Sequence, residues 1–252
     1  MIFKQCKGLK ITAIILSGII VLAAINFSPM VRQMSVGMKK HQISGVTVFA
    51  VDDDLQEAAD IVERINTSRD KLSRALAMDD IDDVRIYVYP NQKILHIKTI
   101  GLAGLLLPDW YIGKNRSNAV LITSPANPGP AHSYESVVQA AVHEYVHVLT
   151  DSRNKDMSYW HKEAFALYLA EQVPDATALA SHRDITFQEF STGNAMEFAH
   201  CGGYNLAYHY IEYLKERYGW ERVLELLDPN KSADDIFGRS LKQVFTEWKA
   251  SI

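Results

Sequence analysis

Cysteine is nearly absent from this chain: 252 residues carry only two, Cys6 and Cys201. They lie on opposite sides of a hydrophobic run, so no disulfide framework is expected to support the fold. Cys201, beside Gly202 and Gly203, is read as a small packing residue rather than a reactive thiol. An excess of basic charge is also lacking. The formal net charge is −4, and no stretch of Lys and Arg interleaved with aromatics follows the first ten residues, so a nucleic-acid partner is not expected. Internal repeats and low-complexity tracts are missing too, which excludes solenoids and long disordered linkers. What remains has 48% hydrophobic and 22% charged residues, enough to bury an ordinary globular core.

The one long hydrophobic run is at the N-terminal end. Lys4, Lys7 and Lys10 precede an uncharged stretch from Ile11 to Phe27. At 1.5 Å per residue that stretch spans about 25 Å, the low end of a bilayer crossing. A cleaved signal peptide and an uncleaved anchor both fit. The run's length and the lack of a clean small-x-small site beyond Val21-Leu22-Ala23 favour the anchor. Either reading leaves segment 1–10 in the cytosol, 11–27 in the membrane and the rest of the chain outside the cytosol. Residues 28–45 then read as a polar stem, and 46–252 as one folded domain.

Within that domain, Val46–Val51 is rich in β-branched residues and is expected to be a strand. Asp52-Asp53-Asp54 suits a helix start, and apolar positions from Leu55 to Met78 recur at helical spacing. Val84–Tyr89 alternates as a strand, and Asn91 opens a short helix to Ile100. Gly101–Pro108 is apolar without a clear period, and Leu102–Pro108 within it is suited either to covering a cleft or to touching a membrane. Trp110–Ile112 and Ala119–Ile122 are expected to pair as strands around a Lys114–Ser117 turn. Pro125–Pro130 is a loop. Helices are expected over 133–150, 157–173, 203–218, 220–228 and 232–250. Mixed strands and helix followed by helices predict an α+β fold.

The decisive string is His143-Glu144-Tyr145-Val146-His147. On a helix, residues i and i+4 stack one above the other, so both imidazoles can reach one ion. Glu144 lies between them, placed to take a proton from a water made acidic by zinc. Ser133 and Glu135 suit the start of that helix, and Val137, Val138, Ala141, Tyr145, Val148 and Leu149 give it an apolar stripe. Catalytic zinc needs a third protein ligand and one open position. Glu163 shares a helix face with Ala166, Leu167 and Ala170, and a carboxylate on an apolar face requires a partner. His161 is the rival ligand. It points about 200° away from Glu163 on a helix, so only one of the two can bind. The remaining histidines His41, His96, His132 and His182 have no spacing that assigns them a role. A structural zinc would call for cysteines and a closed fourth position.

His143 to Ala170 resembles the gluzincins, HExxH peptidases whose third ligand is a downstream glutamate. More narrowly, Trp160-His-Lys-Glu163-Ala-Phe-Ala166-Leu-Tyr168 is similar to the W-x-x-E-G-x-A-x-Y string of bacterial peptidase MA-like domains. Tyr204–Tyr208 through Tyr218-Gly219, and Phe237–Leu241 through Trp248, resemble that group's later helices, so the likeness covers about residues 46–252. Ala164 departs from the usual glycine and leaves the ligand set intact. The resemblance implies a mainly helical zincin-like subdomain after the sheet, with zinc on His143, His147 and Glu163. It further implies an oxyanion donor from a later helix: Tyr204 first, then Tyr208, with His200 and His209 behind them. A membrane-anchored zinc metallopeptidase acting on a peptide or protein substrate follows as the expectation. The strand Val120–Ser124 would pair with an extended substrate. The alternative is a zinc-binding scaffold without turnover. No oligomeric state is implied.

Overall fold

The computed structural model describes residues 2–78, 83–174, 177, 179 and 184–252. His182 lies outside them. A single sheet of five strands organises the N-terminal half of the domain: β1 (Lys39–Ile43), β2 (Val46–Ala50), β3 (Arg85–Tyr89), β4 (Gly113–Arg116) and β5 (Ala119–Thr123), in the order β1-β2-β3-β5-β4. The three inner strands are parallel and the two edges antiparallel. Alternation along the strands sends Val48, Ile86, Val88, Val120 and Ile122 to one face, and Tyr87, Tyr89 and Leu121 to the other. Long helices α2 (Leu55–Leu76) and α4 (Tyr134–Asn154) pack on the first face; α3 (Gln92–Ile100) covers the second.

The rest is helical: α5 (Tyr159–Leu169), α6 (Phe187–Phe190), α7 (Ala195–His200), α8 (Gly203–Tyr218), α9 (Trp220–Leu224), α10 (Ala233–Phe237) and α11 (Leu241–Ser251). An aromatic core joins them, with Trp160 against Phe190 and Tyr210, and Tyr210 against Trp248. The α+β class therefore agrees with the sequence, as does α1 (Ile2–Phe27), whose apolar window Thr12–Met30 has no buried residue and is long enough to cross a membrane.

Several local expectations need correction. Residues 39–43 are not stem but an edge strand paired with β2. The strand expected at Trp110–Ile112 lies three residues later. The turn expected at Lys114–Ser117 is instead Ser117-Asn118, with Ser117 in the left-handed region at φ 51°. The helix expected over 232–250 is two, broken at Gly238 (φ 68°) and restarted by a Ser240–Gln243 capping box. Helix α4 runs to Asn154, four residues past its expected end at 150, so Asp151 belongs to its last turn. The strand assigned to substrate pairing, β5, is paired on both sides, leaving β4 as the edge.

Candidate metal centre

Helix α4 begins where its sequence says it should. Ser133 caps it, accepting from the Ser136 amide while the Ser136 hydroxyl accepts from the Ser133 amide. Two and a half turns later His143 and His147 lie one above the other with their Nε2 atoms 3.0 Å apart. Helix α5 runs alongside and delivers Glu163, whose Oε2 lies 3.3 Å from His143 Nε2 and Oε1 3.6 Å from His147 Nε2. Ligands about 2.05 Å from a tetrahedral ion sit roughly 3.3 Å from one another. The three side chains thus match the spacing of a bound ion, and together they could hold one.

The rival ligand is accounted for elsewhere. His161 is buried, its ring lies over Trp160 at 3.4 Å, and its Nδ1 bonds Ser158 Oγ at 2.8 Å. Burial lowers its pKa to about 3, which keeps it neutral inside the aromatic core.

Electrostatics divides the two carboxylates. Burial opposes ionisation of Glu163, but His147 and His143 outweigh it and hold that carboxyl well below its usual range. Glu144 is equally enclosed, and burial raises its pKa despite the opposing pull of His147 and His143, with Glu163 adding to the rise. His147 resists charging through burial, yet Glu163, Glu144 and Asp151 together raise it. The surroundings favour the charged form of Glu163 and the protonated form of Glu144.

Side chains that sequence reasoning passed over complete the site. Gln172 Oε1 lies 2.8 Å from His143 Nδ1; with Nδ1–H donating there, Nε2 keeps its lone pair for an ion. Gln172 reaches back because α5 stops at Leu169 and the chain reverses at Glu171 (φ 56°). Tyr159 stands four residues before Glu163 on the same helix face, where burial and then the Glu163 charge raise its pKa, and its hydroxyl meets that of Tyr204 at 2.7 Å. That i, i+4 spacing was the available signal. Gly113 of β4 backs against Glu144: a Cβ there would stand 2.9 Å from both Cγ and Oε1 of the carboxylate side chain. Asn115 and Lys162 both donate to Asp151, at 2.8 and 2.7 Å, tying β4 and α5 to the last turn of α4.

All of this lines one cleft of about 750 Å³, walled by Trp110–Asn115 on one side and α4, α5 and Tyr204 on the other. That volume suits a segment of peptide or a small molecule. Tyr204 does face the cleft, with Trp110 edge-on to it at 6.0 Å. Its hydroxyl is shifted upward by burial and then by Glu163. His132, given no role from sequence, also lines the cleft and bonds the Trp110 carbonyl at 3.0 Å. The other late candidates are elsewhere. Tyr208 packs on Tyr168 and His209, His209 bonds Glu212, and His200 borders a separate depression with Cys201. His96 is spent on the Tyr111 carbonyl at 2.7 Å, and His41 lies 3.9 Å from Asp52.

In comparisons with known proteins, no family model and no curated protein matches this chain. The site stands on its own residues and their geometry.

Proposed function

We propose that this chain is a zinc-dependent peptidase of the gluzincin type, anchored in a membrane by α1 with its cleft outside the cytosol. The observation that carries the reading is the convergence of His143, His147 and Glu163 beside a second buried carboxylate, Glu144, in an open cleft. Two imidazoles and one carboxylate are the ligand set of catalytic zinc, which leaves a position for solvent or substrate. When bound, the ion supplies Lewis acidity that polarises a carbonyl and makes water more acidic.

The protein's own groups carry out the rest. Glu144 accepts the proton of the attacking water and returns it to the departing amine, and its raised pKa suits both transfers. Tyr204 donates toward the carbonyl oxygen as negative charge develops there. The unpaired edge of β4 lies along the cleft and can align an extended peptide by main-chain hydrogen bonds, the role first assigned to β5. Gln172 holds His143 in place.

The free volume of the cleft supports turnover over a purely scaffolding role, which would need that space filled. Hydrolysis of a quenched peptide library by the full chain in detergent, beside its Glu144→Gln variant, is the test. Wild type is expected to cleave. The variant should keep its metal and lose about 10²–10⁴-fold in rate. Equal rates for the two proteins would remove Glu144 from the chemistry, and no cleavage by either would remove the peptidase reading.

A further inference from the structure

The turn that follows α3 has no part in the cleft, although its sequence is among the most apolar in the domain. Leu102–Leu106 forms a tight 3₁₀ turn that leaves Leu102, Leu105 and Leu106 exposed by 40%, 54% and 89%. Isolated exposed leucines are ordinary; three on five consecutive residues form a patch that calls for a partner. None of the three lines the candidate metal site.

What lies beside the patch is the end of α1. The amide of Ala103 donates to Asn26 Oδ1 at 2.9 Å, and Asn26 is in the last turn of that helix. Gly101 (φ 87°) comes so near that a Cβ would stand 2.3 Å from the Asn26 carbonyl oxygen. Gly104 packs as closely on the carbonyl of His96 in α3. A few residues on, Lys98 Nζ donates to the carbonyls of Pro29 and Arg32 at 3.2 and 2.9 Å. The chain leaving α1 is therefore clasped by α3 and the leucine turn rather than hanging free as a stem. Val31, four residues past the end of α1, is itself 88% exposed.

We infer that Leu102, Leu105 and Leu106 form a second membrane contact, inserted at the interface of the bilayer that α1 crosses, and that they hold the domain at a fixed height and tilt. This rests on the reading of α1 as an anchor. The occupant is lipid because the patch is continuous with the exit of the apolar helix, the one place on the domain surface where the acyl boundary must lie if α1 spans. Short apolar turns beside a spanning segment gain from such shallow burial. The contact bears on the substrate. Gln92 Nε2 donates to the Asp109 carbonyl at 2.6 Å and His96 bonds that of Tyr111, so α3 fixes both the leucine turn and the cleft wall. The substrates so favoured are polypeptide segments lying close to the membrane surface.

The test uses the full chain carrying Cys6→Ser and Cys201→Ser, reconstituted in vesicles of phosphatidylethanolamine and phosphatidylglycerol. An environment-sensitive fluorophore is placed by Leu106→Cys, by Ile20→Cys within α1, or by Val173→Cys on an exposed site that belongs to neither the leucine turn, α3 nor α1. The Leu106 label is expected to emit to the blue and to be quenched by acyl-chain nitroxides at least about twofold more than the Val173 label. If the Ile20 label is quenched and the Leu106 label behaves as Val173 does, the turn faces water and the inference fails alone. If the Ile20 label also stays in water, the anchor falls and the inference with it. A blue-shifted Leu106 label that nitroxide lipids do not quench would mean a protein covers the patch, and would overturn it too.

Discussion

Glu144 and Glu163 are both buried acids within reach of the same two imidazoles, yet their surroundings push them in opposite directions. That divergence depends on small distances. Gly113 is the residue that makes room for Glu144, since any side chain there meets its Cγ, its Oε1 and Ile122 Cδ1 within 3.0 Å. Gly113→Ala should therefore displace the carboxylate while sparing the ligands. Peptide turnover is expected to fall about ten- to a hundredfold with zinc content unchanged, as a misplacement near 1 Å would cause; unchanged kcat would show that the carboxylate has slack. His143, Glu144 and His147 were legible in the sequence because i, i+4 spacing on a helix follows from the backbone alone. Glu163 was legible because its neighbours are apolar. Gly113 was not, since its importance arises from a strand and a helix far apart in sequence meeting at one atom.

Elements were legible where their ends are marked by side chains. Asn91 caps α3 by accepting from Ile94, Ser133 caps α4, and both starts are readable in advance. Strand β4 was misplaced because Lys114, Asn115 and Arg116 look like a turn, whereas charged and polar residues are what an exposed edge strand carries. The four- and six-residue helices α6 and α7 are too short to show a period. Helix α5 was expected to continue to 173, and its early end is what returns Gln172 to His143. Gln172→Leu should keep the helix end and lose the hydrogen bond. Metal affinity is then expected to fall about 10–100-fold in a competition titration. An unchanged dissociation constant would mean that His143 is oriented without it.

At the scale of the whole molecule, one clasp joins three parts: the exit of α1, the leucine turn and the cleft wall. Ala103 and Tyr111 are eight residues apart in sequence, so the wall cannot lie more than about 28 Å from the turn. A peptide tethered to the vesicle surface with its scissile bond within that height should be cleaved faster than the same sequence free in solution at equal bulk concentration. Equal rates would mean that the cleft takes no advantage of its position. The sequence marked residues 28–45 as a polar stem and left 102–108 open between covering a cleft and touching a membrane, so the apolar turn was legible but the clasp was not. The contacts that define the clasp pair Asn26 with Ala103 and Lys98 with Arg32, too far apart in sequence for any local pattern. Everything proposed about chemistry rests on a metal ion held by two histidines and one glutamate. Its most direct test is zinc content with X-ray absorption at the zinc edge on the full chain. One ion per chain with two imidazoles and otherwise oxygen ligands near 2.0 Å is the expected result. A third imidazole, a sulfur ligand or a chain that retains no zinc would contradict it.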